Sequence, residues 1–155
     1  MNVDHEYTVA VEWTGNRGTG TSGYRDYGRQ VVVSAAGKPA IEGSADRVFF
    51  GDADRWNPEE LLLVALSQCH LLSYLHVASR NGIVVEEYTD AATGTMETTA
   101  DGGGHFTGAT LHPVVTISAG DPGLARSLHA EASRLCFIAA SVNFPIRHEP
   151  EIRVR

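Results

Sequence analysis

The sequence predicts an α+β fold with two long central helices packed against antiparallel β-sheets. Three observations carry that prediction. An apolar stretch from Pro58 to about Arg80 has helix signals at both ends. A second segment opens with a capping aspartate and a proline at Asp121-Pro122. Around them lie short runs of alternating or β-branched residues, separated by glycine-rich turns.

Taken in order, Tyr7, Val9, Val11 and Trp13 alternate with Thr8, Ala10 and Glu12, the period of a half-buried strand. Gly15, Gly18, Gly20 and Gly23 then mark a turn-rich stretch with Asn16 and Arg17 at its tip. A second strand is expected over 29–34. Residues 35–57, broken by Gly37, Pro39, Gly43 and Gly51, read as a long loop or covering arm. Asn57 caps the first helix, Pro58 suits its first position, and Glu60 completes a capping box. Asn81-Gly82 supplies its left-handed stop. Its first half, Leu61-Leu62-Leu63-Val64-Ala65-Leu66, is apolar all round, the pattern of a helix buried on every side.

Residues 83–88, 94–99 and 109–118 read as further strands, with Asp101-Gly102-Gly103-Gly104 as a hairpin turn or flexible loop. The second helix carries Leu124, Leu128 and Leu135 at helical spacing and is expected to end near Ala140. The tail from Asn143 reads as an edge strand, because Pro145 and Pro150 disfavour a central one. With 155 residues, no internal repeat and no linker, a single domain over 1–155 is expected. A chain of this size buries roughly two thirds of its unfolded surface without needing disulfides.

The charge balance narrows the partners. The net charge is −7, with neither a basic tail nor a basic stripe, which argues against nucleic acid or an anionic membrane. The start, Met-Asn-Val-Asp-His-Glu, lacks the basic and apolar regions of a signal peptide, and polar residues interrupt even the longest apolar helix. The cytoplasm is therefore the expected compartment. Seven histidines are scattered without ligand spacing, so no metal is expected.

Only two cysteines occur, Cys69 and Cys136, one on each predicted helix. Singly, a cysteine on an apolar helix is most often a small core residue. Two packed helices, with axes about 8–10 Å apart, can however bring such sulfurs within bonding distance. A thiolate oxidised to sulfenic acid beside a second thiol forms a disulfide, which protects it from over-oxidation.

Three segments resemble the OsmC/Ohr family, the osmotically inducible and organic hydroperoxide resistance proteins. Asn57-Pro58-Glu59-Glu60-Leu61, with Cys69 ten residues after Glu59, is similar to the family's first cysteine motif. Leu135-Cys136, followed by Ser141 and a closing strand, resembles the second. Thr14-Gly15-Asn16-Arg17-Gly18 resembles the segment holding the family's catalytic arginine. The resemblance implies a thiol peroxidase that reduces organic hydroperoxides to alcohols. Cys69 would be the nucleophile and Cys136 the resolving thiol, with Glu59 and Arg17 as a polar pair beside the reactive sulfur. Arg25, Arg47 and Arg55 are alternative activating arginines. The resemblance also implies an intertwined homodimer, no bound cofactor, and an external dithiol reductant.

The residue types suit that chemistry. Peroxide attack needs thiolate, and burial raises a thiol's pKa, so an apolar site requires a compensating cation. An arginine offers a permanent charge and a fork of donors to both thiolate and leaving alkoxide. Glu59 stands ten residues ahead of Cys69, about 15 Å of helical rise, too far to reach it along one straight helix. The rival reading is a non-peroxidase member of the same family, a stress or small-molecule-binding protein whose cysteines are structural.

Overall fold

The computed structural model describes residues 2–155, which fall into two units, one up to Leu61 and the other Leu62–Arg155. The first holds an antiparallel sheet of β1 (Ala10–Trp13), β2 (Val31–Ser34) and β3 (Ile41–Gly43), paired in that order. The glycine-rich excursion between β1 and β2 closes on itself. Gly28 N–H donates to the Gly15 carbonyl at 2.8 Å, and the Trp13 indole donates to the Gly28 carbonyl at 2.8 Å. A Cβ on Gly15 would collide with that backbone, so the approach requires glycine.

Two expectations for this unit are corrected. β1 starts at Ala10, and Tyr7, Val9 and Val11 are 88%, 70% and 65% exposed, so the alternating face is not half-buried within the chain. Alternation specifies a face to be covered, but no element of this unit covers it. Second, the stretch read as an unbroken loop contains β3 and a short 3-10 turn, Arg47–Phe49. Three residues between breakers are too few for a periodic signal.

α1 (Pro58–Arg80) forms where its caps predict. Glu60 N–H donates to Asn57 Oδ1 at 2.8 Å, and Asn57 N–H donates to Glu60 Oε2 at 3.2 Å, a reciprocal capping box. Gly82 ends the helix at φ 70°. Burial is one-sided, however. Leu66, His70, Tyr74, Val77 and Ala78 form the buried stripe, while Val64 is 43% exposed, so the all-round burial expected is not supplied by the chain itself. Among the described residues α1 is the one helix long and apolar enough to cross a membrane, and its buried stripe is that of a core helix.

The second unit contains two further sheets. β4 (Val84–Asp90), β7 (Pro113–Ala119) and β9 (Glu151–Val154) lie in the order β4-β7-β9. β5 (Thr93–Thr98), β6 (Gly104–Leu111) and β8 (Ile146–His148) lie in the order β5-β6-β8. The run read as one strand over 109–118 is therefore two strands in different sheets. Pro113 has no N–H, and the His112 N–H is taken by Asp90 Oδ1 at 2.6 Å, which breaks the ladder there. The tail likewise divides at Pro150 into β8 and β9, each a parallel edge strand.

α2 (Pro122–Leu135) is capped by Asp121, whose side chain accepts from Leu124 N–H at 2.7 Å. It ends before the predicted Ala140. Cys136 is its C-cap, in extended geometry, and a separate 3-10 turn follows at Ala139–Ser141. The residues beyond Leu135 bond locally, with Ser141 Oγ donating to the Phe137 carbonyl at 2.7 Å, and this redirects the chain. Tyr74, Val77 and Ala78 of α1 pack with Val115 and Ile117 of β7 and with Ala125, Leu128 and Ala132 of α2 in one core cluster. Every second residue of β7 points into this unit's interior, the period that fixes its register.

Candidate active site

Cys69 sits midway along α1 and is half-buried; Cys136, at the end of α2, is buried. Both thiols are free, and they are near enough for Cys69 to influence the titration of Cys136. Burial first, and then the neighbouring Cys69, push the Cys136 thiol up to about 11. The Ala139 N–H donates to Cys136 Sγ at 3.4 Å, a consequence of the 3-10 turn that follows the helix.

The Cys69 sulfur opens on a groove of about 650 Å³. Ala65, Gln68, Cys69, Leu72, Ser73 and His76 line it from α1, at the spacing of a single helical face. Leu135, Phe137 and Ile138 close the opposite side. The lining is mostly apolar, and Phe137 is 79% exposed at its rim.

Behind α1 lies a group that the sequence did not reveal. His70 Nε2 and His129 Nδ1 share a hydrogen bond of 3.0 Å. The ring of His148 lies 4.3 Å from that of His70, and Tyr74 stacks on His129 at 4.0 Å. Burial pushes His70 down to about 3 and His129 down to about 4, with His148 adding to both shifts. Burial also lowers His148, and Asp90 partly offsets this. Among the described residues no group of three histidine, cysteine or acidic side chains is arranged to hold a metal. The only sequence signal for the pair was the helical spacing of His70 with Tyr74.

The other sequence-predicted residues belong to the first unit. Glu59 lies in the first turn of α1, and its Oε2 is buried without a hydrogen-bond partner. Arg17 is exposed and donates to the Arg25 carbonyl at 3.4 Å. Arg25 lies over the Phe50 ring, and Arg55 pairs with Glu42 at 3.5 Å. Arg47 lies in the 3-10 turn. Arg29, not singled out by the sequence, is caged over Tyr24 and Tyr27 and donates to both of their carbonyls. The structure thus brings together the two cysteines, ringed by apolar side chains.

An α+β chain with two neighbouring free thiols, one of them lining an apolar groove, is a dithiol protein. Residues 51–151 match the OsmC-like protein family, and the chain belongs to that family. It is similar to an OsmC-like protein of unknown function from Vibrio cholerae, with 27% identity over 96% of this chain and 100% of that one and a TM-score of 0.85. An organic hydroperoxide resistance protein from Legionella pneumophila shares the fold at 20% identity, over 97% and 99% of the two chains, with a TM-score of 0.68. The organic hydroperoxide resistance protein OhrB of Bacillus subtilis does so at 20% identity, over 94% and 98%, with a TM-score of 0.62. No curated protein matches the chain.

Proposed function

We propose that the protein is a thiol peroxidase that reduces organic hydroperoxides to alcohols, acting as a homodimer and recycled by an external dithiol. The observation that carries this reading is the free Cys69 thiol on an apolar groove with the buried, free Cys136 thiol beside it. The family, and the names of its hydroperoxide resistance relatives, support it. Cys69 lines the groove and is the more exposed of the two thiols, so it is the nucleophile. Cys136 keeps its proton at neutral pH and is the resolving thiol.

The chemistry balances in two steps. The Cys69 thiolate attacks the hydroperoxide oxygen distal to carbon, the O–O bond breaks, and an alkoxide leaves and takes a proton as the alcohol. Cys69 is then a sulfenic acid, oxidised by two electrons. Cys136 attacks that sulfur, giving the Cys69–Cys136 disulfide and water, and a dithiol returns both to thiols. The leaving alkoxide and the thiolate both favour a nearby cation, which we assign to Arg17 paired with Glu59, with Arg25, Arg47 and Arg55 as alternatives. No cofactor is needed for these steps. Leu72, Phe137 and Ile138 would favour an alkyl or aryl hydroperoxide over hydrogen peroxide.

The test is consumption of cumene hydroperoxide with dithiothreitol as reductant. Wild type should turn over, Cys69→Ser should not, and Cys136→Ser should consume one equivalent and stall as sulfenic or sulfinic acid. Unimpaired turnover by Cys69→Ser would remove the reading. Titrating Cys69 in Arg17→Ala, Arg25→Ala, Arg47→Ala and Arg55→Ala identifies the cation, since its loss should raise the thiol pKa by about one unit or more.

A further inference from the structure

The buried imidazoles have no part in the chemistry above, yet they stand next to it in the chain. His70 follows Cys69 on α1. His129 precedes Cys136 by seven residues on α2, two helical turns and about 10 Å of rise. Two hydrogen bonds join the helices in antiparallel order, His70 to His129 at 3.0 Å and the Tyr74 hydroxyl to the Ala125 carbonyl at 2.9 Å, and Cys69 neighbours Cys136 on the far side of the histidines from Tyr74.

Stability does not account for the histidine pair. His70 is 1% exposed and His129 3%, and the two rings share one hydrogen bond. His70 Nδ1 and His129 Nε2 are buried with no partner. Burying such a nitrogen unbonded is unfavourable, and a pair of leucines would fill the space without it. What leucines would lack is direction. Apolar contacts tolerate sliding, whereas an N···N bond at 3.0 Å fixes one register, and fixing register is the best-attested use of a buried polar pair.

Resting on the peroxidase reading for its purpose, we propose that His70 and His129 are positioning residues that hold α1 and α2 in the register at which Cys69 and Cys136 can form their disulfide. The demand for such a device is geometric. A disulfide needs its Cβ atoms about 3.5–4.5 Å apart, and a slip of one residue along a helix is about 1.5 Å. Cys136 is the C-cap of α2, held by local bonds to Ser133, Ala139 and Ala140, and those bonds fix it to its own helix end without setting the register of α2 against α1. The histidine bond lies where the two helices touch, one residue from the nucleophile.

The experiment reads the thiol pair without peroxide. The dithiol protein is equilibrated with glutathione disulfide, giving the protein disulfide and two molecules of glutathione, and the equilibrium constant is taken from the oxidised fraction. That constant reports the effective concentration of one thiol at the other. Wild type is compared with His70→Leu/His129→Leu, which removes the bond. It is also compared with His70→Gln/His129→Asn, whose amides reach the positions of Nε2 and Nδ1. The leucine pair should form the disulfide about tenfold less favourably while keeping or raising its melting temperature, and the amide pair should restore it. If the leucine pair does not fold, His129→Leu and His129→Asn make the same comparison. An unchanged constant in the leucine variants overturns the proposal, as does an equal loss in both kinds of variant. A wild type that forms no Cys69–Cys136 disulfide overturns it too. If the disulfide forms with glutathione and responds to the variants, while cumene hydroperoxide is not consumed, the positioning role stands and the peroxidase reading falls.

Discussion

Each buried titratable group of the second unit is held in its uncharged form, and the direction of each shift has a consequence in pH. His70 and His129 sit at about 3 and about 4 in the folded chain, against an ordinary 6.5, chiefly because burial penalises the imidazolium. Above pH 6.5 neither the folded nor the unfolded chain protonates them, so stability is level there. Below 6.5 the unfolded chain takes up protons that the folded chain refuses. Stability therefore falls with falling pH until about 4 and about 3. Each proton contributes a slope of about 1.4 kcal/mol per pH unit, and His148 adds in the same direction. Urea unfolding at pH 7, 6 and 5 should show this loss, and His70→Gln/His129→Asn should flatten it. A wild type equally stable at pH 7 and 5 would contradict the assignment. At this scale the sequence revealed the thiols and hid the histidines. Two cysteines in a whole chain leave one pairing, but His70 and His129 are 59 positions apart and meet only once α1 and α2 have packed.

Elements with local causes were legible in the sequence, and elements with distant causes were not. The starts of α1 and α2 are set by side chains within three residues of the first turn, and the end of α1 by Gly82, so all three could be read directly. The division between β6 and β7 depends on Asp90, which accepts the His112 N–H across 22 positions, and no periodicity announces that. The end of α2 depends on a hydrogen-bonded turn beyond it. The junction of β7 with α2 shows how far a local residue can matter. Gly120 has φ 105°, and a Cβ there would come within 2.4 Å of Ile83 Cδ1 and 2.9 Å of the Gly82 carbonyl oxygen. Gly102 has φ 87° but open space around it. Gly102→Ala should cost about 1–2 kcal/mol for the backbone alone, and Gly120→Ala should cost more, because the clash adds to the strain. Urea unfolding of the two variants checks the order, and equal losses would show that the junction yields freely.

At the scale of the whole molecule, the unexplained quantity is exposed apolar surface. In the second unit Leu72 is 58% exposed, Leu75 37% and Phe137 79%, and Val64 is 43% exposed on the same helix as the first two. In the first unit the alternating face of Tyr7, Val9 and Val11 is bare. Scattered apolar residues are normal on a surface, but runs on one helix face and one strand face mark surfaces that a partner covers. Several such side chains, each worth about 1.5–3 kcal/mol on full burial, amount to enough for a stable self-association. The homodimer proposed above would supply the cover, and it would account for a first half of α1 that is apolar all round yet buried on one side. Light scattering at micromolar concentration should therefore give about twice the 16.7 kDa of one chain. Leu75→Glu places a charge on this face without touching the groove at Cys69, so it should shift the protein towards monomer and leave the thiols chemically intact. A wild type that runs as a monomer, or a Leu75→Glu variant that remains dimeric with unchanged affinity, would show that this face of α1 is not where two copies meet.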